Sequence, residues 1–330
     1  MLSFFLVLGC LSSSEPETTT EKPSVPIVET ASLQERLGMD KIKRLNPPKS
    51  SLGRPLNYGN YSVTPLSLVV FEDFRISGAL FSPTDRTDAK KPPGFLMAHG
   101  HFGEGKSSGE AQGPAHLMAA QGYLVLALDT PGVEEGERKD RQIHHEAGAA
   151  NREALLQKGT SAMAVQLHIL QAGLDLLESE KVSWVGVGGA SGGGVQAFYL
   201  SHIDPRVDAL VMASFVSMPR KEGEGGCPCD LIPGGWPEDL YAALSVPSLW
   251  LCEDEGKQKP PTLPKNADFE IHPGNHGFEL PMIHSAIEWM NAQHGASNGN
   301  TLLESIPRTP AEQLQSPDIG KAGLKDLVDP

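Results

Sequence analysis

Val185-Gly186-Val187-Gly188-Gly189-Ala190-Ser191-Gly192-Gly193-Gly194 joins an apolar, strand-like run to a helix-like segment through a turn built of small residues. Residues 181–188 supply the strand and residues 195–202 the helix. A Gly-x-Ser-x-Gly turn in that setting is a nucleophile elbow, in which the serine is held in a strained backbone conformation and the residues two before and two after it have no room for bulk. Ser191 is therefore the candidate nucleophile. The blander alternative is an ordinary serine in a glycine-rich connection, which gives no reason for strand and helix to flank it on both sides.

Outward from the elbow, residues 62–71 and 74–81 read as paired antiparallel strands, and 94–98 and 123–128 as short buried ones. Residues 182–188, 207–215, 247–252 and 269–272 read as four more. Helical patterns separate most of these. One runs over 146–179, with Gly159 marking a break, and the last runs over 281–293, where Ile283, Ala286, Ile287 and Met290 share a face. Strands alternating with helices imply βαβ crossovers, hence an α/β fold with a mostly parallel central sheet and helices on both faces. Active sites of such sheets lie beyond the carboxyl ends of the strands.

A serine hydroxyl is a weak nucleophile until an imidazole accepts its proton and a carboxylate holds that imidazole. After an elbow serine, the acid and then the histidine follow in chain order, each in a loop after a late strand. Gly274-Asn275-His276-Gly277-Phe278 is a small-residue loop before the terminal helix, which makes His276 the expected general base. His272 falls within the strand and His284 within the helix. After Ser248-Leu249-Trp250-Leu251-Cys252 stand Glu253, Asp254 and Glu255 in a row, and Asp254 is the expected acid with the other two as alternatives.

The tetrahedral oxyanion needs donors already aimed at it, each accounting for ~10²–10³ in rate. Gly192 is one expected donor. His101 is the other, in the loop His99-Gly100-His101-Phe102-Gly103-Glu104-Gly105-Lys106. His99-x-His101 alone supplies too few ligands for a metal, and His144-His145-Glu146 has Ala149 where a metalloprotease helix would carry its second histidine. The third glycine of a dinucleotide fingerprint is replaced by Ser191. Neither cofactor nor metal is expected.

The 330 residues carry a formal charge of -14 without a basic block, so the electrostatic footprint of a nucleic-acid partner is missing. No internal repeat is present. At the N-terminus, the apolar run from Leu2 to Leu8 is too short to span a bilayer. Val7-Leu8-Gly9-Cys10 resembles the lipobox of bacterial lipoproteins, in which signal cleavage leaves a lipidated cysteine. That resemblance implies a signal peptide over residues 1–9, lipid on Cys10, a polar tether over 10–32, and an exported protein held to the membrane on its periplasmic or cell-surface side. Residues 33–60 then read as a helix with an extended lead-in, 61–294 as the catalytic domain, and 295–330 as a surface wrap or polar tail. Cys227-Pro228-Cys229 reads as packed thiols or as a strained local disulfide.

Over residues 61–293 the chain resembles the α/β-hydrolases, and within them the acetyl-xylan-esterase and dienelactone-hydrolase-like group. The matching pieces are His99-Gly100-His101 with Gly105-Lys106, residues 122–132, Gly189-Ala190-Ser191-Gly192-Gly193, Ile203-Asp204-Pro205-Arg206-Val207 and Ile232-Pro233-Gly234. The resemblance implies the α/β-hydrolase fold and a carboxylic ester hydrolase working through a serine acyl-enzyme, on small-molecule or polysaccharide esters. Where the group places its acid as Gly-x-x-Asp, an ungapped alignment puts Lys257, so a shifted loop would have to bring in Asp254 or Glu255. Dienelactone hydrolases proper use cysteine where this chain has Ser191. Two other functions remain open: a serine peptidase of the prolyl-oligopeptidase type, and a non-catalytic surface lipoprotein on a hydrolase scaffold.

Overall fold

Leu124, Leu126 and Leu128 of strand β6 (Leu124–Leu128) pack into one hydrophobic cluster, while Tyr123, Val125 and Ala127 pack into another. Successive side chains of a strand point to opposite faces, so a run that is apolar at every position belongs to a sheet buried on both sides. The same division recurs in β5 (Gly94–Ala98), β8 (Ala209–Ala213) and β9 (Ser248–Glu253). These facts come from a computed structural model that describes residues 30–87, 91–138, 148–214, 240–254, 263–295 and 302–328. Cys10, Cys227, Cys229, Ile232-Pro233-Gly234, Glu255 and Lys257 lie outside them.

The remaining strands are β1 (Lys49–Leu52), β2 (Leu56–Asn57), β3 (Tyr61–Val69), β4 (Arg75–Pro83), β7 (Val185–Ala190) and β10 (Ala267–His272). They form one ten-stranded sheet in the order β1-β3-β4-β6-β5-β7-β8-β9-β10, with β2 beside β3. From β6 to β10 every pairing is parallel. β4 joins β6 antiparallel, and the β3–β4 hairpin and the short β1 and β2 extend that end.

Helices α1 (Thr30–Leu37), α4 (Ala162–Ser179) and α5 (Gly192–Ile203) fill one face; α2 (Gly109–Ala120) and α6 (Leu280–His294) fill the other. A short helix α3 (Ala149–Gln157) precedes α4, and the break between them holds Gly159 at φ 75°. Ser161 caps α4 by accepting the Ala164 N–H. Among the described residues, no helix is long and apolar enough to cross a membrane.

Both ends of the described chain belong to the body. Leu33 and Leu37 of α1 are buried in the core, so packing begins well before Tyr61. Beyond α6, residues 302–328 lie across the surface as a strap ending in α7 (Leu324–Val328). Thr309 is buried: its N–H donates to Gln112 Oε1 at 2.7 Å, its carbonyl accepts from Gln112 Nε2 at 3.3 Å, and its hydroxyl meets Tyr58 and His116. Leu314 is fully buried, and the Ser316 N–H and hydroxyl donate to Glu135.

Candidate active site

Ser191 sits between β7 and α5 with φ 55° and ψ −125°, a conformation that costs a non-glycine residue about 1–3 kcal/mol. Its N–H continues the ladder by donating to Ala213 O of β8 at 3.0 Å. The flanking glycines have a steric cause, because the Ala98 carbonyl at the end of β5 is wedged between them. A Cβ on Gly189 would stand 1.9 Å from that oxygen, and one on Gly193 would stand 2.1 Å from it. The elbow can close only without side chains there.

His276 lies in the loop between β10 and α6, as the sequence predicts, and its side chain is 44% exposed. The carboxylate it meets is not the expected one. Glu253 Oε1 lies 3.1 Å from His276 Nδ1, whereas Asp254 is exposed and its backbone N–H donates to His272 O. The reason is strand length and parity: β9 continues through Glu253, and Leu249, Leu251 and Glu253 alternate on the α2 and α6 side, which is the side of the His276 loop. Asp254 comes after the strand has ended and has the opposite parity.

Burial pushes the Glu253 carboxyl upward. Its own backbone N–H, the His276 hydrogen bond, the neighbouring Ser214 hydroxyl and the charge of His276 outweigh this and hold it below the ordinary glutamate value. Its Oε2 is buried with no partner among the described residues. Ser214, fully buried at the end of β8, donates its hydroxyl proton to Gly277 O at 2.7 Å and accepts the Gly277 N–H at 2.8 Å. No sequence pattern marked it.

Gly192, the expected first oxyanion donor, opens α5 directly after Ser191. The second expected donor, His101, has its imidazole edge against it: a Cβ on Gly192 would lie 2.7 Å from His101 Nε2. The base of that loop is fixed by polar contacts. His99 donates from Nδ1 to Gly100 O and accepts the Thr130 N–H at Nε2, an arrangement that suits only the neutral ring, and burial lowers its pKa accordingly. With both ring nitrogens in use, His99 has none left for a metal, and among the described residues no group of three or more His, Cys, Asp or Glu is placed to hold one.

Lys106, fully buried, anchors the other end of the loop. Its ammonium donates to Asp129, Glu134 and Glu135 at 3.1, 2.8 and 2.8 Å, and its N–H donates to Asp129 Oδ1 at 2.6 Å. Burial opposes the charge on Lys106, but the three carboxylates overcome it and hold the ammonium above its ordinary value. Glu134 is pushed upward, first by burial and then by Asp129. The matched segment Asp204-Pro205-Arg206 turns out to be scaffold: the Arg206 guanidinium forks onto Asp204 at 2.8 and 2.7 Å and reaches Asp175.

A cavity of about 540 Å³ lined by residues including Trp184, His294 and Arg86 lies beside the starts of β5 and β7, at the opposite edge of the sheet from Ser191. Of its polar side chains, His294 meets Tyr123 and Arg86 pairs with Glu180.

No protein-family model matches this sequence, and no curated protein matches it. Solved structures do share its architecture. A methylesterase superposes with a TM-score of 0.69 at 18% identity, covering 91% of this chain and 72% of its own. Acetyl xylan esterase 1 from Thermoanaerobacterium sp. JW/SL YS485 gives a TM-score of 0.53 at 16% identity, with 82% and 96% covered. A cold-adapted esterase from an Arctic intertidal metagenomic library gives 0.51 at 18% identity, with 73% and 97% covered.

Proposed function

We propose that this chain, which has the α/β-hydrolase fold, is a serine-dependent carboxylic ester hydrolase with Ser191, His276 and Glu253 as its triad. The observation that carries this reading is the strained Ser191 elbow at the same edge of the sheet as a histidine already held by a buried carboxylate. A scaffold without catalytic duty has no use for that strain, and strained backbone concentrates at functional sites. The structural neighbours named above are esterases, which is in keeping with it.

In this mechanism the Ser191 hydroxyl attacks the ester carbonyl carbon while His276 Nε2 takes its proton. Glu253 holds the Nδ1–H and stabilises the imidazolium that forms. The oxyanion is received by the Gly192 N–H and by a donor of the loop at His101. When the C–O bond breaks, His276 returns the proton to the departing alcohol and leaves Ser191 acylated. Water, deprotonated by His276, then releases the acid. Small acyl esters, including acetyl groups on polysaccharide, are the proposed substrates. The test is hydrolysis of p-nitrophenyl acetate by wild type and Ser191→Ala, together with fluorophosphonate labelling; equal turnover in both proteins, or no label on Ser191, would refute it.

The proposed location is the cell envelope, with the protein tethered by lipid on Cys10. The support is the lipobox-like Val7-Leu8-Gly9-Cys10 followed by a polar segment. Cys10→Ser should move the protein from the membrane to the soluble fraction, and unchanged membrane association would rule out the anchor.

A further inference from the structure

β8 lies between β7, which delivers Ser191, and β9, which delivers Glu253. Its last residue and the one after it hold both halves of the candidate site. Ala213 O accepts the Ser191 N–H at 3.0 Å, and Ser214 Oγ makes two hydrogen bonds to Gly277, the residue after His276. Nucleophile and base are thus tied to adjacent residues of one strand end.

The backbone at Ser214 is itself unusual. Its φ is 47°, in the left-handed region that disfavours residues with a Cβ. Among the described residues only four other than glycine have positive φ: Ser191 at the elbow, Glu134 on Lys106, Lys181 and Ser214. A serine kept at such a position, when glycine would adopt it freely, points to a task for the hydroxyl.

We propose that Ser214 is a positioning residue: its hydroxyl, by clasping Gly277 on both its N–H and its C=O, sets the distance and orientation of His276 relative to Ser191. The proposal rests on the ester-hydrolase reading for its kinetic consequence and on geometry for its structural one. A loop displaced by ~1 Å at the reacting groups slows the chemical step by up to ~10²-fold while leaving substrate binding nearly intact. Both backbone hydrogen-bonding groups of residue Gly277 would also lose this partner at once.

The experiment compares wild type, Ser191→Ala, Ser214→Ala and Ser214→Gly, with p-nitrophenyl acetate kinetics and amide exchange of the 273–279 loop. Glycine accepts the positive φ, so Ser214→Gly folds without backbone strain and removes only the hydroxyl, from Gly277 and from its place beside Glu253 alike; exchange at Gly277 reads the clasp alone. Both Ser214 variants are expected to lose about 10- to 100-fold in kcat with KM within about twofold of wild type, and both should exchange the Gly277 amide faster. Ser214→Gly turning over like wild type would overturn the proposal, because then only backbone conformation matters, and so would a change confined to KM. Failure of the hydrolase reading shows separately, as wild type without Ser191-dependent turnover. In that event amide exchange decides the clasp: faster exchange at Gly277 in both variants supports it, and unchanged exchange overturns it.

Discussion

Glu253 Oε1 stands 3.1 Å from His276 Nδ1, although Asp254 follows it in the chain and aspartate is the commoner partner in such a site. The longer side chain reaches the imidazole from the last residue of β9, where backbone hydrogen bonding fixes its root. A glutamate on a strand replaces an aspartate on a loop.

Glu253→Gln is expected to lower kcat by ~10²–10⁴, in line with the loss seen when a triad acid becomes an amide. Asp254→Asn should stay within about twofold of wild type, as surface changes do. Steady-state kinetics on p-nitrophenyl acetate check this, and the reverse ranking would return the role to Asp254.

Ser191→Gly should abolish turnover and at the same time stabilise the fold by ~1–3 kcal/mol, because glycine releases the strain at φ 55°. Ser191→Ala keeps the Cβ and should show no such gain. Urea denaturation of the two variants side by side measures the difference; equal midpoints would mean that the elbow stores no strain.

Lys106→Met leaves Asp129, Glu134 and Glu135 facing one another inside the protein. Removing one side of a buried charge cluster costs about 3–5 kcal/mol, so thermal unfolding should shift down by many degrees. Lys41→Ala, which breaks an exposed pair with Asp40, should leave the transition nearly unchanged.

His116 is buried between Tyr61 and Thr309, and burial pushes its pKa down to about 4. His202 is pushed to about 4 by burial as well, partly offset by a hydrogen bond to the Leu240 backbone. Both are depressed from an unfolded value of about 6.5, so between those limits the unfolded chain binds protons that the folded one refuses. Their stabilisation is complete above pH 6.5 and declines as the pH falls toward 4, by on the order of 3 kcal/mol for His116. The urea midpoint should fall across that interval, and His116→Gln should flatten the slope; a midpoint independent of pH there would contradict the placement of these histidines.

The elbow was legible because its glycines answer to a single obstacle, the Ala98 carbonyl, and no other residue satisfies it. Gly159 was legible as a helix break for a related reason, its positive φ. Glu253 stood only as an alternative to Asp254 because the strand runs one residue longer than its apolar run, although the parity of Leu249 and Leu251 already pointed to it. β1, with little buried and no alternation, offered no period to detect. Ser214 and Thr309 are single polar residues whose partners are distant in sequence, and periodicity cannot register a contact of that kind. The early core went unseen because two leucines four apart in α1 are too short a signal beside the charged residues between them.

The strap has a consequence for the order in which this protein can be completed. Gln112 is buried in α2 and its partner Thr309 lies 197 residues later; Glu135, beside Lys106, meets Ser316 181 residues later. As the chain leaves the ribosome, the nucleophile is synthesised before either of these two contacts to the strap can form. Its oxyanion loop therefore rests in part, through Lys106 and Glu135, on a residue made after the nucleophile, and a nascent chain that has made Ser191 has yet to make that part of the support of its own active site.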